Sequence, residues 1–293
     1  MPKYSFLVPV YNKLECLDRA FTSIFNQTLD DYEIVVINDA SSQEGITEYL
    51  QELAKFSEKV RVVNHEQNCG IGKTRNDLIH MATGDYLIFV DSDDYIEPEL
   101  LERVNSSVDK GVDVVRFQCV SEAATENQQK IESQKDPYRF CCKPTEIISG
   151  EKALIEWCAG TNKINMLPWS YCVRADLYQN LPFPEMPVLE DYAVMPVVVA
   201  KAKKVQAIDY VGYHYMQYDK SLTKQKDIDS EIQERTVKLE LLKHATKHTR
   251  QNLRKSKVSR STRNRYDRVL DSRISDKMHK LKKLAEKESM FTK

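Results

Sequence analysis

Tyr86-Leu87-Ile88-Phe89-Val90-Asp91-Ser92-Asp93-Asp94 is the stretch on which the fold turns: five largely apolar residues run straight into three carboxylates within four positions. A run of that kind reads as a strand buried on both faces. Carboxylates crowded at its carboxyl end repel one another unless something positive lies between them. The carboxyl ends of aligned strands are also where open α/β sheets form ligand crevices. A hard divalent cation holding a diphosphate is the natural occupant. The same residues also read as a helix cap, with Asp93 or Asp94 capping a helix that runs through Pro98, Glu99 and Leu100. The stretch alone does not choose between the two.

Outward from it, strand and helix patterns alternate. Residues 4–10 read as a first strand, 14–26 as a helix with Leu14, Leu17, Phe21, Ile24 and Phe25 on one face, and 33–38 as a second buried strand. A helix over 44–56, a strand over 60–63, a glycine turn at 68–72 with a helix over 73–82, and the strand 86–90 follow. A helix over 98–109 and a strand over 112–118 continue the series. The alternation predicts an α/β fold: a Rossmann-like, mostly parallel wound sheet with helices on both faces. Residues 121–145 are polar and aperiodic and read as a long loop or inserted excursion. The pattern resumes with helices near 150–158, 174–179 and 190–201, a segment at 169–173, a strand over 205–210 and an aromatic run over 210–218.

Length and composition bound the rest. With 293 residues and 41% hydrophobic content, the chain suits one large domain or a domain with an appendage. No run approaches the ~18 apolar residues of a membrane span. Met1-Pro2-Lys3-Tyr4 leads directly into the first strand without a signal-peptide core, so the expected location is cytoplasmic. Seven scattered cysteines without a Cys-x-x-Cys pair argue against a disulfide framework or a zinc site. The net charge of −1 hides a polarity. Residues 235–293 hold 19 Lys or Arg against 6 Asp or Glu, a net of +13, whereas residues 1–234 hold 24 against 38, a net of −14. Beyond about residue 228 the chain lacks Gly and Pro, and its sparse apolar residues suit two solvated helices with narrow stripes. Three segments result: 1–118 and 119–227, two halves of one domain, and a basic helical extension over 228–293.

At the end of the first strand stands Pro9-Val10-Tyr11-Asn12, and at the end of the second Asn38-Asp39-Ala40-Ser41-Ser42. If these strands are adjacent and parallel, their ends open into the crevice that holds residues 91–94. Asp39 can then accept a hydrogen bond from a base edge such as the imide N–H of uracil, and Tyr11 can stack on a ring. Ordinary turn and cap chemistry explains Asp-Ala-Ser-Ser equally. Asn68-Cys69-Gly70-Ile71-Gly72-Lys73-Thr74-Arg75-Asn76 permits tight backbone, and the helix after it aims amides at an anion. It matches neither a Walker loop nor Gly-x-Gly-x-x-Gly. Arg75 can reach a phosphate or the Asp91 carboxylate, or can form a salt bridge on the helix surface.

Taken in order, Pro9-Val10-Tyr11-Asn12, Asn38-Asp39-Ala40-Ser41, Asn68-x-Gly70, Arg75-Asn76 and Gly84-Asp85-Tyr86 with Asp91-Ser92-Asp93-Asp94 resemble the family-2 glycosyltransferases of the GT-A fold. The resemblance covers residues 4 to about 218 and fades in the basic tail. It implies a nucleotide-sugar-binding half over 1–118, an acceptor-binding half of the same GT-A domain over 119–227, a UDP-sugar donor and a Mn²⁺ or Mg²⁺ cofactor held by Asp93. Pro9, Tyr11, Asn12, Asp39 (on the uracil), Asn68, Gly70, Arg75, Asp91 (on the nucleoside side) and Ser92 would contact the donor. In Val188-Leu189-Glu190-Asp191-Tyr192 the resemblance makes Asp191 the catalytic base and Glu190 its neighbour, where helix-dipole stabilisation is the plainer reading. It implies an acceptor-side platform at Trp169, against core packing, and a late metal or diphosphate contact at His214, against a structural histidine.

Processive synthases of that family carry a Gln-x-x-Arg-Trp motif and membrane helices, and neither is present. The expectation is therefore an inverting, metal-dependent transfer of one sugar to a saccharide or lipid-linked saccharide acceptor in bacterial surface-polysaccharide assembly. A nucleotidyltransferase of similar fold would need a Gly-rich, basic loop after the first strand, which Pro9-Val10-Tyr11-Asn12-Lys13 does not provide. A nucleic-acid-binding role for the tail lacks aromatic interleaving, so no nucleic-acid partner is expected. For the tail, peripheral attachment to an anionic membrane at the inner face of the cell stands beside a solvated helical pair that packs on the acidic body or forms a homodimer.

Overall fold

The computed structural model describes residues 2–125, 143–159, 166–218 and 228–291. Most of the polar excursion expected over 121–145 lies outside the described residues, as do Cys141 and Cys142. Among the described residues, eight strands form one sheet in the order β3-β2-β1-β4-β7-β6-β8-β5. They are β1 (Tyr4–Val10), β2 (Tyr32–Asn38), β3 (Val60–Asn64), β4 (Tyr86–Phe89), β5 (Tyr95–Ile96), β6 (Val114–Ala123), β7 (Tyr171–Arg174) and β8 (Val205–Gln217). The helices are α1 (Leu14–Phe25), α2 (Ile46–Phe56), α3 (Gly70–Met81), α4 (Leu100–Val108), α5 (Gly150–Ala159), α6 (Glu190–Lys201), α7 (Ile228–Lys255) and α8 (Arg260–Phe291).

The first four strands in the order are parallel: β1 pairs with β2 and β4, and β2 with β3. Every residue of β1, β2 and β4 is buried, as continuous apolar runs predict. The chain winds from β1 to one side through β2 and β3, then returns to the other side at β4. That reversal places the carboxyl ends of β1, β2 and β4 around one crevice. Beyond β4 the sheet becomes mixed, with β7 antiparallel to β4 and β6, β8 parallel to β6, and β5 antiparallel to β8. The division at residues 118 and 119 falls inside β6, so one sheet carries both halves.

Three elements differ from the sequence reading. The strand over 205–210 and the aromatic run after it are one strand, β8, which passes an irregularity between Arg116 and Cys119 of its partner β6. The helix expected near 174–179 is a single 3₁₀ turn, Ala175–Tyr178. Asn180 takes a positive φ of 57° and Leu181 precedes Pro182, a combination that keeps the helix from continuing. The helix after the carboxylate stretch begins at Leu100 behind Glu99, without a side-chain cap from residues 91–94.

The tail forms two helices, as expected, but neither is solvated along its whole length. Ala245, Leu253, Val258, Tyr266 and Leu270 are buried and continuous with the main hydrophobic core. The Thr249 hydroxyl donates to the Tyr192 carbonyl at 2.8 Å, and the Ser259 hydroxyl donates to Glu151 Oε2 at 2.5 Å. The stripe of α7 and early α8 is therefore consumed by α5 and α6. Among the described residues, no helix is long and apolar enough to cross a membrane.

Candidate active site

Pro9, Val10 and Tyr11 from β1 and its end, Asp39 after β2, Asn68, Gly70 and Ile71 at the head of α3, and Asp91 to Asp93 after β4 line one open cavity of about 460 Å³. Thr74, Arg75, Lys13 and Pro187 complete its wall. The three strand ends expected to meet do meet here. Tyr11 is half exposed at the mouth, whereas Ser92 is buried.

Asp39 is 4% exposed. Its Oδ1 accepts the Cys69 N–H at 2.8 Å and lies 2.7 Å from His65 Nδ1, and its Oδ2 accepts the Gly70 N–H at 2.9 Å. The anion at the α3 N-terminus is thus Asp39 itself. Burial alone would raise its pKa, but His65 and the two amides outweigh burial and hold it below the usual carboxylate range. Gly70 makes the turn with a φ of +80°. The three ligand atoms of Asp39, His65 and Cys69 lie within 4.8 Å of one another, a closeness these hydrogen bonds explain.

The stretch 91–94 is tied to β8. The Asp91 N–H donates to the Tyr213 hydroxyl at 3.1 Å, which donates in turn to Asp94 Oδ2 at 2.7 Å. Asp94 Oδ1 accepts the Met216 N–H at 2.8 Å. Asp94 is fully buried, so it neither caps α4 nor faces the cavity. Burial, then the Asp91 and Asp93 charges, push its pKa well up. Asp93 pairs with Lys13, whose ammonium lies 4.9 Å from the centre of the Tyr218 ring. Burial works against the Lys13 charge, but Asp93 outweighs it and raises the pKa.

Asp91 Oδ1 is a covered oxygen without a hydrogen-bond partner among the described residues, 3.8 Å from an Arg75 guanidinium nitrogen. Desolvation, partly offset by Arg75, pushes the Asp91 pKa up to about 6. This orphaned oxygen and the neighbouring Asp93 fit a hard divalent cation, whose remaining oxygen ligands would come from diphosphate and water.

Helix α3 also aligns the second half of the protein. Arg75 is buried and forms an ion pair with buried Glu190, between the Phe89 and Phe183 rings at 5.7 Å from each. The Asn76 amide grips the Phe183 backbone both ways, at 2.9 and 2.8 Å. A Cβ on Gly72 would stand 2.3 Å from the Pro184 carbonyl oxygen, so only glycine allows this approach. The Arg75-Asn76 pair is thereby a clamp on the loop that leads into α6. Leu189, at φ 69°, turns the chain so that Glu190 and Asp191 open that helix. Asp191 is 7% exposed, and its Oδ1 accepts the Tyr192 N–H at 2.8 Å. Burial, then the Glu190 charge, push its pKa up to about 7 against the pull of Arg75.

The model of the family described as glycosyl transferase family 2 matches residues 5–162, more than half of the chain. The chain belongs to that family. It is 30% identical to the putative glycosyltransferase EpsH of Bacillus subtilis over 219 residues, 73% of this chain and 60% of that protein. It is 40% identical to the poly(ribitol-phosphate) beta-glucosyltransferase of Bacillus spizizenii over 104 residues, 34% of this chain and 16% of that protein. The chain thus spans less than two thirds of the length of either relative. In fold it is similar to S. aureus TarS residues 1–349 in complex with UDP-GlcNAc, with a TM-score of 0.68 and 20% identity over 92% of this chain and 70% of that one. The fold is GT-A.

Three family-2 expectations do not hold in the geometry. His214 is not a free metal ligand: its Nδ1 lies 2.5 Å from Glu122 and its Nε2 2.7 Å from Glu97, and it stacks on Tyr95 at 4.2 Å. Trp169 is not an open platform. It is 3% exposed and stacks on Tyr213 at 4.5 Å and on Tyr215 at 5.3 Å, under the tyrosine that ties residues 91–94. Asn12 does not line the cavity. Its Oδ1 accepts the Ser42 and Gln43 N–H groups at 3.0 and 3.1 Å, which offsets the positive φ values of Asn12 and Lys13. Sequence reasoning missed Lys13, Gly72 and Tyr213. Lys13 and Gly72 lie inside motifs read for their neighbours, and Tyr213 was one tyrosine in an aromatic run.

Proposed function

We propose that the chain is an inverting glycosyltransferase of bacterial polysaccharide assembly that moves one sugar from a UDP-sugar to a saccharide or lipid-linked acceptor. What carries this reading is the convergence of Asp39, Asp91 and Asp93 on one cavity, whose wall residue Arg75 pairs with Glu190, the neighbour of Asp191. The uridine would lie toward Asp39, Asn68 and Gly70, with Tyr11 free to close over its ring. Asp93, helped by Asp91, would hold Mn²⁺ or Mg²⁺ against the diphosphate, and the ion would offset charge on the departing UDP. Lys13 supplies a second cation beside the diphosphate. Asp191 takes the acceptor hydroxyl's proton as that oxygen bonds to the anomeric carbon and the bond from that carbon to the UDP oxygen breaks. Asp191 suits the task because a carboxylate with a pKa near 7 is partly ionised at neutral pH and more basic than an ordinary one. Calorimetric titration of UDP with and without Mn²⁺ tests the donor half. Binding should require the ion in the native protein and fall by at least roughly tenfold in Asp93→Ala, and metal-independent binding of equal strength in both would sink the assignment.

The end of the tail favours contact with anionic lipid. From residue 271 to 286, α8 is mostly exposed, and Ile274, Met278, Leu281 and Leu284 follow at helical spacing among Lys277, Lys280, Lys282 and Lys283. Such a stripe suits an interfacial helix. Met278→Glu with Leu281→Glu leaves the packed residues up to Leu270 untouched. It should abolish co-sedimentation with anionic vesicles, and unchanged sedimentation would remove the membrane contact.

A further inference from the structure

A cavity of about 750 Å³ lies away from the donor site, where the end of α6, the start of α5 and the turn between α7 and α8 meet. Helix α6 has Glu190 and Asp191 at one end and this cavity at the other, about 18 Å apart over 12 residues. Four lysines line it: Lys201, Lys203, Lys255 and Lys257. Two have ordinary explanations. Lys201 and Lys255 stand in the last turns of α6 and α7, where cations offset the helix dipole, and Lys201 donates to the Leu177 carbonyl at 2.7 Å. Lys203 and Lys257 lie beyond the helix ends, and neither ammonium has a partner among the described residues. The one carboxylate in the wall, Glu151, is already taken by the Ser259 N–H and hydroxyl and by the Thr262 hydroxyl. The side-chain amides of Gln179, Asn180 and Asn252 line the same wall and have no protein partner among the described residues.

Unpaired ammonium groups draw anions, and unpaired amides with a few aliphatic neighbours match the alternating hydroxyls and C–H faces of sugars. We propose that this cavity is a second saccharide site. It takes an anionic stretch of the acceptor, bearing phosphate or carboxylate groups, and holds it while a distant hydroxyl reaches Asp191. This rests on the glycosyltransferase reading for its purpose, but not for its chemistry. A growing anionic glycan gripped at the far end of α6 is presented at raised local concentration to the base at the near end.

Calorimetric titration tests the site without turnover. An oligogalacturonate and a phosphorylated oligosaccharide are each compared with a neutral oligosaccharide of equal length and with inorganic tripolyphosphate. At least one anionic saccharide should bind more tightly than the neutral one and than tripolyphosphate, with affinity that falls as salt rises. Lys203→Glu with Lys257→Glu should weaken it by roughly tenfold or more, while UDP binding is unchanged. Asn180→Ala with Asn252→Ala should weaken the saccharide and spare tripolyphosphate. The proposal is overturned by no binding of either anionic saccharide, by equal binding to the lysine variant, or by tripolyphosphate binding as tightly as both saccharides. A chain that turned over no UDP-sugar would refute the transferase reading and leave these titrations valid.

Discussion

Asp191→Asn is expected to lower acceptor-dependent UDP release by about 10²–10⁴-fold while UDP affinity stays unchanged. Asparagine keeps the size and the hydrogen bond from the Tyr192 N–H but cannot take a proton. The same substitution should stabilise the fold near neutral pH. Burial and Glu190 push the Asp191 pKa up to about 7, so the folded protein prefers the neutral acid. A group whose pKa is raised on folding contributes stability that is present at low pH and lost as pH rises through the folded value. Between its ordinary carboxylate range and about 7 the native protein therefore loses stability that the asparagine variant keeps, by on the order of 1–3 kcal/mol above neutral pH. The catalytic profile has the opposite sense. The base works unprotonated, so kcat/KM should rise with pH and level off above about 7. A melting curve and a pH profile on the two proteins measure both effects. An inactive variant that is also less stable would point to a structural role for Asp191.

Arg75→Met should have the largest effect on stability, a loss of about 3–5 kcal/mol in denaturant unfolding. It leaves Glu190 buried without its partner and removes the nearest cation from Asp91. The cost arises from the stranded charge more than from the lost attraction, because a buried pair returns little beyond its own desolvation. Adding Glu190→Leu should therefore recover much of the loss, and a double-mutant cycle measures the recovery. In Arg75→Met alone the plateau of the pH profile should move to higher pH, because Arg75 holds the Asp191 pKa down; adding Glu190→Leu removes the larger charge that raises it and should bring the plateau back. Additive stability losses in the double variant would contradict the buried-pair assignment.

The donor half was the most legible part of the chain. Val8, Ile37 and Phe89 lie in continuous apolar runs, and a parallel strand buried on both faces has few other ways to read. The residues just past such strands must then share an end of the sheet, which brought Tyr11, Asp39 and Asp91 together before any geometry was known. What those residues touch was less legible, because the partners are remote in sequence. Asp39 finds its donors at Cys69 and Gly70, Asp94 at Tyr213 and Met216, and Arg75 at Glu190. His214 stood between a metal contact and a structural role for the same reason: its Glu97 and Glu122 partners lie about a hundred positions upstream. For the tail, packing on the protein's own body stood beside lipid and a second copy, because a narrow apolar stripe has the same pattern in all three cases; α7 and early α8 take the first.

Release of UDP from a panel of UDP-sugars, with Mn²⁺ or Mg²⁺ present and a bacterial glycan acceptor supplied, tests the central claim most directly. At least one UDP-sugar should be turned over faster with acceptor than without it, and both chelation of the ion and Asp191→Asn should remove the acceptor-dependent part. Acceptor-dependent release that persists at full rate in Asp191→Asn, or no release and no binding with any UDP-sugar, would contradict it.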